Sequence, residues 1–325
     1  MAPSTVSADI INVLIGAFQF LAILAIAPLI TGIMRKVKAK SQKRLGSSIL
    51  QPYFDLVKLL RKDEVVSDQS SWLFRATPFI VFAATLTAAV FIPTFFSFTP
   101  LSLAGDLLLV VGLFSLARFF TMLAGLDVAS TFGGLGASRE MMLSALLEPA
   151  LFITIFPISL TYGGTNVSTI VTRATNGVNA SGLGVITPAM IFSLISILIV
   201  LMAESGRVPF DNPATHLELT MVHEAMILEY SGRSLALIEF AQSVKMVILM
   251  SLIAGIFLPF GISTGNQLTS LIIISPFIYV AKTVAIGFFV AYIETRVAKW
   301  RLFRLPDLLV IAMSSSLIGI MFFYL

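Results

Sequence analysis

Residues 236–260 read ALIEFAQSVKMVILMSLIAGIFLPF, an apolar run long enough to cross the roughly 30 Å hydrocarbon core of a bilayer as a helix. A helix is required there, because backbone polar groups in lipid must find partners within their own segment. The apolar character extends to the whole chain, which has 325 residues, 57% of them hydrophobic, and a mean hydropathy of +0.97. This composition predicts a polytopic integral membrane protein of the all-α class.

Similar runs along the chain predict about eight transmembrane helices, which form a single membrane domain over residues 1–325. Their approximate bounds are 10–34, 74–98, 103–126, 139–162, 183–204, 236–260, 267–292 and 306–325. The first run has neither a basic segment before it nor a small-residue cleavage site after it, so we interpret it as a retained span. The chain has no cysteine, which excludes disulfides, iron–sulfur ligation and thiolate metal sites within it.

Basic residues are concentrated in alternate connections between these spans. The first connection, at 35–75, holds ten of the 21 Lys and Arg residues, and the seventh, at 293–305, holds four more. The three even-numbered connections together hold only Arg173. Because basic connections mark the cytoplasmic side, we expect the odd connections to lie inside and both termini to lie outside.

The basic loop at 35–75 also contains a short amphipathic pattern. Pro52 suits the first turn of a helix, and Phe54, Val57 and Leu60 follow it at helical spacing. This pattern predicts a short interfacial helix on the cytoplasmic side, with its apolar face in the headgroup boundary.

The acidic segment at 203–235 predicts a broken loop-helix between spans five and six. It begins AESGRVPFDNP, in which two prolines and a glycine interrupt the preceding helix. From Ala214 to Tyr230 the sequence favours a helix again, with Asp211 or Asn212 as its cap.

Ionisable side chains in or beside apolar spans are candidates for function, because burying them in lipid is costly. They are Arg118, Arg139, Glu140, Glu148, Glu204, Lys245, Lys282 and Glu294. For Arg118 and Glu294, an interfacial position at the end of a span is the alternative. Glu148 is followed by Pro149, which frees a backbone carbonyl, as expected where a span lines a polar cavity.

Both histidines lie in the acidic segment, and three site chemistries can be compared there. A zinc hydrolase needs a second histidine four residues after His223, which HEAMI lacks. Haem ligation usually takes histidines from facing helices, whereas His216 and His223 share one segment. A chain of carboxylates and histidines that passes protons fits best. A solvated loop is the alternative, although apolar residues are interleaved throughout.

We therefore predict an ion path, and no catalytic, metal or cofactor site, within this chain. The ion-path candidates are Glu148, Glu204, Glu218, Glu224, Glu229, His216, His223 and Lys245.

Two motifs resemble the eight-helix quinone-module subunit of respiratory complex I. One is AE-x-x-R-x-PFD-x-P at 203–213, followed by EYSG at 229–232, and the other is LQP-x-x-D-x-x-KL at 50–59. Two features differ from complex I. Gly46-Ser47-Ser48 stands where complex I has glycine-proline, and the segment between PFD and EYSG is longer and less acidic than its complex I counterpart. That segment, PATHLELTMVHEAMILEYSG, is similar to the membrane anchor subunit of energy-converting group 4 NiFe hydrogenases, as are WLFRATP and GASREMMLSALLEP. This group includes formate hydrogenlyase and hydrogenase-4-like complexes.

The resemblance implies a non-catalytic membrane subunit of a hydrogenase-type, ion-translocating redox complex in the inner membrane of a prokaryotic cell. Cytoplasmic large and small subunits would carry the NiFe centre and iron–sulfur clusters. Antiporter-like subunits and lipid would surround the spans, and nucleic acid is not an expected partner. By motif position, Glu204, Glu218 and Glu229 would belong to the ion path. Loop structure and docking of the peripheral arm would fall to Arg139, Arg207, Pro209, Asp211, Pro213, Gln51, Asp55 and Lys58.

Two other functions remain open at this point. One is the quinone-site subunit of a complex I-type NADH:quinone oxidoreductase or of a related sulfur-reducing complex. The other is a stand-alone secondary ion transporter, against which the absence of an evident inverted repeat argues.

Overall fold

The computed structural model describes residues 3–102, 104–181, 187–211, 221–263 and 269–325, and these form helices joined by turns and irregular segments. The helices are α1 (Pro3–Ser41), α2 (Gln51–Arg61), α3 (Trp72–Val90), α4 (Leu107–Asp127), α5 (Thr131–Tyr162), α6 (Val167–Ser181), α7 (Pro188–Glu204), α8 (His223–Met226), α9 (Gly232–Phe257), α10 (Thr269–Arg296) and α11 (Leu305–Tyr324). The predicted all-α class is confirmed.

Within the described residues, seven helices are long and apolar enough to cross a membrane: α1, α3, α4, α5, α9, α10 and α11. The predicted fifth span corresponds to α7, an apolar helix of 17 residues, and positions 183–186 of that span lie outside the described residues. The polytopic architecture is therefore confirmed, and the count of eight stays a prediction.

Helix α9 forms the centre of the bundle. In the most apolar 18-residue stretch of α9, 72% is buried inside the protein. In the corresponding stretches of the other six spans, the buried share is 28–50%. Its neighbours α1, α3, α7 and α10 contact it from several sides. A side chain halfway along α9 therefore lies among other helices and not against lipid.

The second predicted span ends earlier than its apolar sequence indicates. Residues 91–98 leave the helix after Val90 and form a mostly buried, irregular segment. The side-chain amide of Gln19 on α1 accepts hydrogen bonds from the amides of Thr94 and Phe96, and it donates one to the carbonyl of Phe98. The Gln19 side chain thus supplies hydrogen bonds that a helix would otherwise give to this backbone. An apolar sequence pattern does not reveal such a contact.

Two further helical segments differ from the predicted pattern. Helix α5 begins at Thr131, well before the predicted start at 139, because the hydroxyl of Ser130 caps it by accepting from the amide of Gly133. Helix α6 was not predicted, since it is too short to span a membrane, and its buried residues Val167 and Ile170 pack inward.

A helix is present where the interfacial helix is predicted, as α2 with Pro52 in its first turn, and its position at a membrane surface stays a prediction. Phe54, Val57 and Leu60 are exposed along its outer side, where a bilayer surface can cover them. On the inner side, the hydroxyl of Tyr53 donates to the carbonyl of Ala25 on α1.

The predicted helix at 214–230 is wrong in its described part, where only His223–Met226 is helical. Residues 214–220 lie outside the described residues. Tyr230 leaves the helical path because its ring stacks on Phe74 at 3.9 Å, and its hydroxyl donates to the Phe74 carbonyl at 3.0 Å. Burial raises the pKa of Tyr230, which keeps the hydroxyl protonated as a donor.

Candidate functional site: a buried charge cluster beside a polar chamber

Arg118 lies inside the bundle on α4 and faces three carboxylates. Its side chain is only 4% exposed, and Nε lies 3.5 Å from Oε1 of Glu140 on α5. Its Nη1 lies 3.5 Å from Oε1 of Glu148, which follows Glu140 by about two helical turns on α5. Its Nη2 forms an ion pair with Oε1 of Glu204, the last residue of α7. The interfacial alternative for Arg118 is therefore wrong.

Glu204 is shared between two cations on different helices. Its side chain is fully buried, with Oε1 paired to Arg118 of α4 and Oε2 paired to Nζ of Lys245 of α9. Lys245 also lies over the ring of Phe114, at 5.5 Å from its centroid, an arrangement that adds to the stabilisation of a buried ammonium. We call Arg118, Glu140, Glu148, Glu204 and Lys245 the charge cluster.

An inner cavity of about 50 Å³ adjoins the charge cluster. Such a volume has room for a few water molecules where polar groups line it. Its lining includes Arg118, Glu140, Glu204, Lys245, His223 and Gln242. The Nε2 atom of His223 is buried and has no hydrogen-bond partner among the described residues.

A larger polar chamber, of about 800 Å³, lies between α1, α2, α9 and the turn after α7. Its lining carries basic and acidic side chains: Arg35, Lys38, Arg44, Arg207, Asp55, Glu224 and Glu239. Gly206 and Gln242 line both the chamber and the inner cavity. The two spaces therefore adjoin at these two residues, which we call the partition.

Glu294 forms a second buried ion-pair set at the edge of the polar chamber. Its side chain is 1% exposed, and its carboxylate lies 3.7 Å from Nζ of Lys38 and 3.6 Å from Nη1 of Arg207. The interfacial alternative for Glu294 is therefore also wrong. Arg207 holds the turn after α7 against α10 in this way.

Asp211 anchors the loop that leads to α8. Its Oδ2 accepts hydrogen bonds of 3.1 Å from the amides of Val222 and His223, and its Oδ1 accepts one of 3.0 Å from Nζ of Lys299. Asp211 therefore binds the start of the short α8 from a distance in the sequence, whereas the N-cap residue of α8 is Val222. On the other side, Nη1 of Arg139 donates to the carbonyl of Met221 at 2.8 Å.

Of the remaining loop candidates in the described ranges, only Asp55 lines the polar chamber. The side-chain amide of Gln51 donates to Oδ1 of Asp55 at 2.8 Å, and Oδ2 of Asp55 lies 3.5 Å from Nη1 of Arg35, which also lines the chamber. The carbonyl of Pro209 accepts a hydrogen bond from the amide of Trp300 at 3.3 Å. Lys58 is exposed on α2.

The structure brings together some of the ion-path candidates and leaves others apart. Glu148, Glu204 and Lys245 meet in the charge cluster, His223 lines the inner cavity, and Glu224 lines the polar chamber. Glu229 is exposed and lines neither space. The candidates His216 and Glu218, and the loop residue Pro213, lie outside the described residues.

Two members of the charge cluster, Arg118 and Glu140, were not among the predicted ion-path residues. Their signal in the sequence was an ionisable residue within or beside an apolar span, which does not by itself distinguish a buried charge from an interfacial one. Lys282 shares that signal but lies elsewhere, where Nζ donates to the carbonyls of Leu258 and Phe260 beyond the end of α9. Within the described ranges, no group of three or more His, Asp or Glu side chains has the geometry of a metal site.

Two relatives from Escherichia coli (strain K12) match most of the chain. Formate hydrogenlyase subunit 4 is 34% identical over 295 residues, which cover 90% of this chain and 92% of that protein. Hydrogenase-4 component C is 34% identical over 259 residues, which cover 78% of this chain and 79% of that protein.

A more distant relative is NADH-quinone oxidoreductase subunit 8 of Rhodothermus marinus, which is 28% identical and covers 73% of this chain and 70% of its own length. A chain in the structure of the membrane-bound sulfane sulfur reductase, an archaeal respiratory membrane complex, has the same fold. It matches with a TM-score of 0.78 at 20% identity, covering 94% of this chain and 98% of its own. The sequence pattern of the NADH dehydrogenase family matches residues 14–324, and the chain therefore belongs to the NADH dehydrogenase family.

Proposed function

We propose that this chain is the membrane subunit of a hydrogenase-type, ion-translocating redox complex whose redox centres lie in other subunits. The observation that carries the proposal is the charge cluster, in which Arg118 and Lys245 share the fully buried Glu204. The similarity to formate hydrogenlyase subunit 4 and hydrogenase-4 component C supports the hydrogenase type.

The charge balance of the cluster suits it to carrying an ion. Three carboxylates and two basic groups leave one excess negative charge when all five are ionised. An uncompensated charge in a buried site is strongly unfavourable. Glu204 is fully buried and Glu140 is 15% exposed, whereas Glu148 is 35% exposed, so the burial argument applies to the first two carboxylates. We propose that a proton or a sodium ion compensates the excess charge there.

A change in the position of either basic group would alter the affinity of the site for this ion. When Lys245 approaches Glu204, the carboxylate is neutralised and holds an added cation weakly. When Lys245 moves away, the same carboxylate must take up a cation or a proton to remain buried. Redox chemistry in a docked subunit would drive such movements through the loop held by Asp211 and Arg139.

We propose that the polar chamber faces the cytoplasm and that both termini lie outside, because the chamber is lined by the basic connection between α1 and α2. The peripheral arm would dock there, with NiFe and iron–sulfur centres in its large and small subunits. Antiporter-like subunits and lipid would contact the outer faces of the spans in a prokaryotic inner membrane.

Purification of the assembled complex through a tag on this chain tests the proposal. We expect hydrogenase-like large and small subunits and antiporter-like subunits to co-purify, and hydrogen production or oxidation to be coupled to ion uptake in liposomes. A chain that purifies alone and catalyses ion-coupled uptake would instead be a secondary transporter.

A quinone-reducing subunit is the second candidate, because a polar chamber of about 800 Å³ is large enough for a cofactor-sized molecule. Seven ionisable residues in its lining argue against an apolar quinone tail. Turnover of a quinone analogue by the purified complex, blocked by quinone-site inhibitors, would favour this candidate over the hydrogenase type.

A further inference from the structure

We propose that His223 is the proton relay between the polar chamber and the charge cluster. The inference rests on the proposed function, because it names the point at which protons reach the cluster. It begins from an orphan atom, since Nε2 of His223 is buried and has no hydrogen-bond partner among the described residues. A buried polar atom without a partner is unfavourable unless an ordered water supplies the missing bond.

The position of His223 suits a relay. Its side chain lines the inner cavity beside Glu140, Glu204 and Lys245, while the next residue, Glu224, lines the polar chamber. The backbone amide of His223 is held by Asp211. This bond fixes the backbone from which the imidazole extends into the inner cavity.

The partition of Gly206 and Gln242 lies next to His223. Gly206 has a backbone φ of +58°, in the left-handed region that favours glycine. A Cβ added at Gly206 would lie 3.7 Å from Nε2 of Gln242 and 3.9 Å from Cβ of His223. Gly206 thus lies between these two side chains, where any larger residue would thicken the partition. The Gln242 amide can both donate to and accept from water.

The transfer has two balanced steps. Nε2 of neutral His223 takes a proton from a hydronium ion that arrives from the chamber, which leaves water and an imidazolium. The imidazolium then passes that proton through water in the inner cavity to a carboxylate of the charge cluster, which becomes a neutral acid. One proton moves from the polar chamber to the charge cluster, the neutral histidine is regenerated, and no other bond changes.

The first test uses the whole complex, purified through this chain and reconstituted in liposomes. His223→Gln keeps a polar atom near the position of Nε2 but cannot accept and release a proton. We expect proton translocation per turnover to fall by at least ~10-fold. Partner co-purification and uncoupled redox turnover should stay at wild-type levels. The control is Ser138→Ala, which removes an exposed hydroxyl on α5 that bonds only to its own helix.

If His223→Gln fails to assemble, a second variant and a direct structural observation still test the relay. Gln242→Leu places an apolar side chain in the partition. It should also reduce translocation, because it removes the amide group that can hydrogen-bond to water there. A high-resolution map of the wild-type complex should show an ordered water within about 3.2 Å of Nε2. Wild-type translocation in both variants, or a protein group bonded to Nε2 in the complex, would overturn the relay. Failure of redox subunits to co-purify would overturn the proposed function instead.

Discussion

Arg118 and Glu204 are 86 residues apart in the sequence and form an ion pair in the interior of the helical bundle. Their side chains are 4% and 0% exposed, so neither charge can be solvated by bulk water. The pair joins α4 to the end of α7, and Lys245 of α9 binds the second oxygen of the same carboxylate. Three helices are therefore held together at one carboxylate, which makes this site a point where stability and ion transfer are linked.

Removing the guanidinium should destabilise the bundle more than removing any exposed charge. Arg118→Leu leaves three carboxylates with only Lys245, and breaking a buried pair costs about 3–5 kcal/mol. Thermal unfolding of the solubilised complex measures the loss. The control is Arg61→Leu, at an exposed position of α2. The double variant Arg118→Leu/Glu204→Gln should recover part of the stability, because it removes the stranded charge. Wild-type stability in Arg118→Leu would contradict the buried pair.

Neutralising the shared carboxylate should abolish ion movement while leaving the redox reaction intact. Glu204→Gln removes the charge that attracts the additional cation, so we expect ion translocation to be lost while uncoupled turnover continues. Reconstituted liposomes measure both quantities. Glu229→Gln is the comparison, because motif position assigns Glu229 to the path, whereas in this structure it is exposed and lines neither cavity. Translocation retained in Glu204→Gln would rule out the charge cluster as the ion site.

The contact between α5 and α8 depends on Gly136. A Cβ added there would lie 2.8 Å from Cβ of Ala225 and 2.9 Å from the carbonyl of Val222. Gly136→Ala should therefore displace α8 and cost about 1–3 kcal/mol. The matched control is Gly134→Ala on the same helix, where an added Cβ would meet no atom within 4 Å. Equal thermal stability in the two variants would show that α8 does not need this close approach.

Asp211 should be required to keep the segment around α8 ordered. Asp211→Ala removes the acceptor for the amides of Val222 and His223 and the partner of Lys299. We expect amide hydrogen exchange at these two residues to accelerate, while exchange in α9 stays slow. Unchanged protection at 222 and 223 would show that other contacts hold the segment.

The proposed orientation can be tested directly, because the chain has no cysteine. Lys58→Cys places a thiol on the exposed side of α2, and Gly164→Cys places one at the opposite end of the bundle, where an added Cβ meets open space. In intact cells, a membrane-impermeant thiol reagent should label the Gly164→Cys variant but not the Lys58→Cys variant. After the membranes are dissolved in a denaturing detergent, which also removes any docked subunit from Lys58→Cys, the reagent should label both variants. Labelling in the reverse pattern would invert the topology.

The fold class followed from the sequence because a bilayer leaves the backbone few options. Long apolar runs such as 236–260 must be helical in lipid, whatever they pack against. The same reasoning was less reliable at 91–98 and at 221–230, the described part of the predicted loop helix. There, Gln19 and the stacked pair of Tyr230 and Phe74 supply contacts that compete with the helix.

The sequence by itself determined which residues carry charge in an apolar chain and which segments are too apolar to remain outside a membrane. Only the tertiary structure decided which of those charges meet. Arg118 and Glu294 have the same sequence signal as an interfacial residue, yet both are buried against carboxylates or basic groups from distant helices. The physical reason is that hydropathy depends on local composition, whereas the pairing of a buried charge depends on helix packing across tens of residues.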